Sequence, residues 1–280
     1  MRNTIVILAM FCTMECLCNA AQQEPHDKNT VSSINLLFVF GMEEEKCGAV
    51  VAESKQRIEQ LLKTTGVSPD VPFRKDMKRV KADQIIFLDS KDASPKNILK
   101  ICREWDANMG KDGALLVYFV CRDAETAHGQ MLYPMAKSKT DWGEGLLRKD
   151  VFEAITKNER RLTLLITDGC ASDTTQYSGG EMSSWSSEPI YMFSAMLAYG
   201  QGKYNIRAAS PAKNERPHGT PEMGTFFTNV FVNCMDAPTE DTGQFDMKSM
   251  VEELQAEMTN LFREVIDSEN RQQNQTIMLW

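Results

Sequence analysis

Cys170 is the residue of this chain best placed to act as a nucleophile. It follows the apolar run Arg161-Leu162-Thr163-Leu164-Leu165-Ile166-Thr167 and the polar elbow Asp168-Gly169. A thiol at the carboxyl end of a strand, opening into a loop of small residues, lies where an open α/β sheet presents reacting groups. The competing reading is a buried structural cysteine, the commoner fate of a lone thiol.

The segments around it alternate between strand and helix. Ile34 to Phe40 is a continuous apolar run stopped by Gly41. Gln84 to Leu88, Ala114 to Val120 and Leu162 to Ile166 read as further buried strands, with Tyr204 to Ala208 as a weaker fifth. Ala49 to Lys63 carries Val50, Ile58, Leu61 and Leu62 at helical spacing, and Pro95 opens a helix through Trp105 as a first-turn proline does. Arg148 to Ile155, Phe226 to Cys234 and Met247 to Ile266 complete the helices. This alternation predicts an α/β fold with a mostly parallel sheet covered on both faces. Chemistry then belongs beyond the carboxyl ends of the strands, in the segments after Val120 and Thr167. Residues 172–189 are polar and rich in Gly and Ser, a loop beside the thiol in which Trp185 either walls a substrate pocket or sits as a surface aromatic.

At 280 residues the chain is long enough to bury a full core, and its formal net charge of −8 excludes a general nucleic-acid binder. Residues 1–20 read as an export signal: Arg2, the apolar stretch Ile5 to Met14, and the small-x-small site Cys18-Asn19-Ala20. Residues 21–33 form a flexible lead-in and 34–280 a single domain, with its core in 34–235 and a C-terminal helix and tail in 236–280. The expected location is secreted or periplasmic, away from the membrane once the signal is removed. Cys47, Cys102, Cys121, Cys170 and Cys234 remain after that removal, an odd number at wide spacing that makes no disulfide framework. His26, His128 and His218 are scattered and no CxxC pair occurs, so neither a metal nor another cofactor is expected.

The order of motifs resembles that of the caspase-like cysteine peptidases. Asp168-Gly169-Cys170-Ala171-Ser172 is similar to the Asp-x-Cys-x-Ser motif of metacaspases and bacterial caspase-domain proteins. Leu116-Val117-Tyr118-Phe119 resembles the strand that leads to that family's His-Gly. Ile206-Arg207-Ala208-Ala209-Ser210-Pro211 looks like its fifth strand and the segment after it. Gly224-Thr225-Phe226-Phe227-Thr228 is similar to the Gly-x-Phe-Thr opening of the next helix. The resemblance covers residues 34 to about 235. It implies a three-layer sandwich around a mostly parallel six-stranded sheet, and an exported endopeptidase acting on peptides or proteins. Cys170 would attack, an imidazole would carry the proton, and backbone N–H groups at Gly169 and Cys170 would hold the oxyanion. It also implies that Asp168 lines a pocket for Arg or Lys before the scissile bond. The residue-level alternative for Asp168 is a strand-end carboxylate capping the following turn.

The pattern departs at the base. Aligned without a gap, Val120-Cys121-Arg122-Asp123 puts Arg122 where the family's His stands. A guanidinium can hold a thiolate electrostatically but does not deprotonate, so it carries no proton. In the other register, Ala127-His128-Gly129-Gln130-Met131-Leu132-Tyr133 resembles the animal caspase pattern of His-Gly followed by a short hairpin, and His128 becomes the base. Two functions stand side by side. One is an endopeptidase built on Cys170 and His128; the other is a pseudopeptidase that binds peptides or proteins, with Arg122 in the histidine's place. A hydrolase or binding protein of another type lacks its usual G-x-S-x-G or G-x-G-x-x-G turn here. Residues 172–189 contain no Lys or Arg, so a peptidase of basic specificity has no self-cleavage point there.

Overall fold

Six apolar side chains and Asn35 form β1 (Ile34–Phe40), and every one of the seven is buried. The computed structural model describes residues 33–41, 48–68, 78–89, 92–137, 141–169, 189–209, 219–267 and 276–279. The proposed signal and residues 21–32 of the lead-in lie outside them. After β1 come α1 (Gly48–Thr64), β2 (Gln84–Asp89) and α2 (Pro95–Asn108), whose start is capped by Ser94 with Pro95 in the first turn. Strand β3 (Ala114–Thr126) then leads to β4 (Gly129–Tyr133), β5 (Leu146–Leu147), α3 (Arg148–Ile155) and β6 (Leu162–Gly169). Next are β7 (Pro189–Tyr191), α4 (Met192–Tyr199), β8 (Gly202–Ala209), β9 (Gly219–Thr220), β10 (Gly224–Thr225) and α5 (Phe226–Met235). The C-terminal part holds β11 (Pro238–Glu240), α6 (Met247–Asp267) and β12 (Thr276–Leu279).

The main sheet runs in the order β2-β1-β3-β6-β8-β12. The first five strands are parallel and β12 pairs antiparallel with β8. Side chains alternate between the two faces of a strand, and both sets here are apolar, which is why the sequence shows unbroken runs rather than period-two patterning. Leu36, Phe38, Leu116, Tyr118, Leu164 and Ile166 pack under α1, α4, α5 and α6. Leu37, Val39, Leu115, Val117, Phe119 and Leu165 pack against α2 and α3. The molecule is therefore α/β with three layers, as the alternation of segments predicts. Among the described residues no helix is long and apolar enough to cross a membrane.

Three elements depart from the sequence expectation. Strand β3 does not stop at Val120: it continues to Thr126 and folds back as an antiparallel hairpin onto β4. Helix α4 was not expected at all, because Met192–Tyr199 is apolar on every side and so has no helical period to read. The sixth strand, β12, lies beyond the segments that the expected core of 34–235 contains.

Candidate functional site

The strand tips bring Asp168, Gly169, Cys121 and Arg122 together. Val120 is level with Asp168 and Cys121 with Gly169 in the parallel register of β3 and β6. Cys170 follows Gly169 directly; Cys170 itself and Trp185 lie outside the described residues.

Asp168 faces α1 and α5 at the end of β6 and is 2% exposed. Its Oδ2 accepts hydrogen bonds from Thr228 N (3.1 Å), Thr228 Oγ1 (2.7 Å) and Thr225 Oγ1. Thr225 is the N-cap of α5, so the carboxylate sits where first-turn amides point and the helix dipole favours an anion. The sequence makes this possible through Gly224, whose φ of +73° turns the chain against α1. A side chain on Gly224 would meet Ser54 Oγ at 2.6 Å. Thr225 N instead reaches Ser54 Oγ at 2.9 Å. Tyr118 OH lies 2.9 Å from Thr228 Oγ1. Because the Thr228 hydroxyl proton is given to Asp168, the phenol is the donor in that pair. Burial pushes the Asp168 carboxyl up to about 7 against the opposing pull of the threonine hydrogen bonds. Its second oxygen, Oδ1, has no hydrogen-bond partner among the described residues. Asp168 thus caps a helix 57 residues downstream.

Cys121 is buried, and its thiol is pushed up by desolvation and by the charge of Asp123. Arg122 is the next residue, where β3 leaves the sheet, and it pairs with Tyr133 across the hairpin. Its guanidinium carbon lies 4.9 Å from the centre of the Trp142 ring, which meets Tyr133 edge-on at 4.8 Å. A cation over an indole face is held electrostatically. His128 is not at the strand tips. Ala127 and His128 form the turn of the hairpin, followed by Gly129 at φ +110°. His128 is exposed, and its backbone N–H donates to Thr126 Oγ1 at 3.2 Å. Thr126 lies five residues beyond Cys121, about 16 Å of extended strand.

The hairpin is tied back to the sheet. On β8, Arg207 reaches Glu125 Oε2 at 3.1 Å and Asp123 Oδ2 at 3.7 Å. Since β6 lies between β3 and β8, these ion pairs carry the hairpin across the end of β6. Asp123 also accepts from Gln130 Nε2. Sequence reasoning missed Thr225, Thr228, Ser54, Trp142 and Arg207. The Thr-x-x-Thr spacing at the start of an apolar helix was the one local signal, since it marks an N-cap. Trp142 and Arg207 come to the site only through pairing of distant strands. Among the described residues no three His, Cys, Asp or Glu side chains gather as a metal-binding group.

No known family model matches the chain, and no curated protein matches it.

Proposed function

We propose that this is a caspase-like protein that holds peptide or protein segments at the carboxyl ends of β3, β6 and β8 without cutting them. The observation that carries the reading is the placement of Arg122 directly after the residue level with Gly169, while His128 stands on an exposed turn. A permanently charged guanidinium next to Cys170 would keep a thiolate in place yet neither take nor return a proton. Acyl transfer to a thiol needs both steps. The segment held would carry Arg or Lys: Oδ1 of Asp168, without a partner among the described residues, is the acceptor such a side chain would satisfy. The signal-like first twenty residues support work outside the cytoplasm.

One observation favours the endopeptidase instead. The Arg207–Glu125 pair draws the His128-bearing hairpin over the end of β6, the strand that leads into Cys170.

The test compares wild type, Cys170→Ala, His128→Ala and Arg122→His on fluorogenic peptides containing Arg or Lys, with binding measured on the uncut peptides. Wild type and Cys170→Ala bind alike and neither turns over. Arg122→His, which puts an imidazole at the strand tip, brings turnover to at least about a hundredfold above the uncatalysed background. Wild-type turnover that vanishes in both Cys170→Ala and His128→Ala would establish the endopeptidase and discard the binding reading.

A further inference from the structure

Strand β2 ends the main sheet on the side away from β6, and among the described residues it pairs only with β1. The register with β1 runs unbroken to Asp89, so no bulge bends the strand away. Immediately before the strand, Asp83 N donates to Ile34 O at 2.8 Å. In a parallel pair every second residue turns its N–H and C=O to the same neighbour. Asp83, Ile85 and Phe87 therefore bond to β1, while Gln84, Ile86 and Leu88 turn theirs to the open side. Among the described residues no backbone group meets them there.

Proteins usually protect such an edge with Lys, Pro, a bulge or a covering segment. Gln84-Ile85-Ile86-Phe87-Leu88-Asp89 contains no Lys, Arg or Pro. Ile85, Ile86 and Phe87 are half-buried, whereas Leu36, Leu37 and Phe38, level with them on β1, are buried. The edge also matches itself. A two-fold axis perpendicular to the sheet sets two copies of β2 antiparallel and keeps the α1 side of both on one face. Outward-bonding residues must then meet outward-bonding residues. With the axis at Ile86, all three do: Ile86 meets Ile86, and Gln84 meets Leu88, of the second copy. Ile85 falls opposite Phe87 on the α1 side. Moving the axis to Ile85 or to Phe87 leaves Leu88 or Gln84 without a partner in the opposing strand. Asp89 falls opposite Asp83, and Lys55 Nζ, 2.7 Å from Asp89 Oδ2, offsets that charge.

We propose that two copies of this chain pair through β2, antiparallel about Ile86, and so continue one sheet through both molecules. A strand edge alone buries less than a permanent dimer does, so the dissociation constant is on the order of 10–100 µM. The contact lies away from the ends of β3, β6 and β8 and does not depend on whether they bind or cut peptides.

The experiment is sedimentation equilibrium on the full mature chain up to about 0.5 mM, with hydrogen exchange of residues 84–89 followed across the same series. Wild type passes from monomer to dimer, and the amides of Gln84, Ile86 and Leu88 gain protection as it does. Ile86→Lys sets two cations side by side at the axis and weakens association at least about tenfold. A cross-linking pair serves if that variant does not fold. Ile86→Cys forms a disulfide dimer with oxidised glutathione, since directly opposed residues lie about 5.5 Å apart. Gln84→Cys does not, because four residues of strand, about 14 Å, separate it from its counterpart. A wild type that stays monomeric overturns the proposal, as does a dimer that Ile86→Lys leaves intact. Equal cross-linking at 84 and 86 overturns the register. Protection of the three amides already in the dilute monomer would show that another part of the same chain covers the edge, and overturns the proposal too.

Discussion

Replacing Asp168 by Asn isolates what burying that carboxyl does to the fold. The side chain keeps its shape and an oxygen able to accept from Thr225 and Thr228, but it no longer titrates. In wild type the folded carboxyl ionises near pH 7, against about 3.9 when unfolded. Between those values the native chain binds the proton that the unfolded chain has released. Stability therefore falls as pH rises from about 4 to about 7 and levels off above. Three pH units at about 1.4 kcal/mol each make this roughly 4 kcal/mol, of which about 3 fall between pH 5 and 8.5. Constant differences between the side chains, including an amide NH2 where Oδ1 stood, cancel when one variant is followed across pH, as do all other titrating groups. Urea unfolding of both proteins at steps across that range should show Asp168→Asn gaining on wild type by about 3 kcal/mol at the alkaline end. A stability difference that is flat with pH would show that the carboxyl is not held neutral by its surroundings, and the account of Asp168 would fail.

Thr225→Ala removes both the N-cap of α5 and one hydrogen bond to Asp168. It should lower unfolding free energy by about 1–3 kcal/mol in urea melts; a loss below about 0.5 kcal/mol would deny the cap its role. Cys102 and Cys121 are buried, with burial pushing the Cys102 thiol up to about 12 and Cys121 further. In the folded protein at about pH 8 both should resist maleimide and react only after unfolding. Peptide mapping that finds either labelled as fast as in denaturant would contradict their burial.

The parallel core was legible because each central strand is a short apolar run and each amphipathic helix keeps its period. Arg148–Ile155 has the predicted boundaries in the structure, and Leu162 to Ile166 was recognised, though β6 runs on to Gly169. The expected end of β3 at Val120 falls short because its last six residues, Cys121 to Thr126, are mostly polar and lie in a hairpin, a different environment from the buried half. At the site, the resemblance singles out Asp168 as a pocket residue, and its place at a strand end offers a capping role instead. The sequence could not reveal that Thr225 and Thr228 meet it, since contacts 57 and 60 residues apart are made by folding and leave no local pattern. The competition between Arg122 and His128 was likewise visible as two registers, and hairpin geometry separates the two residues along the strand.

The pairing of Arg207 with Glu125 gives the hairpin the character of an arch, footed on β3 and pinned on the far side of β6. Glu125 is 63% exposed, so this pin is screened by ions and worth no more than about 1 kcal/mol. The second foot, Arg207 to Asp123 at 3.7 Å, is shielded on both sides, so salt reaches the Glu125 end of the arch first. The crown of the arch would then answer to ionic strength, while the apolar layers beneath would not register the change.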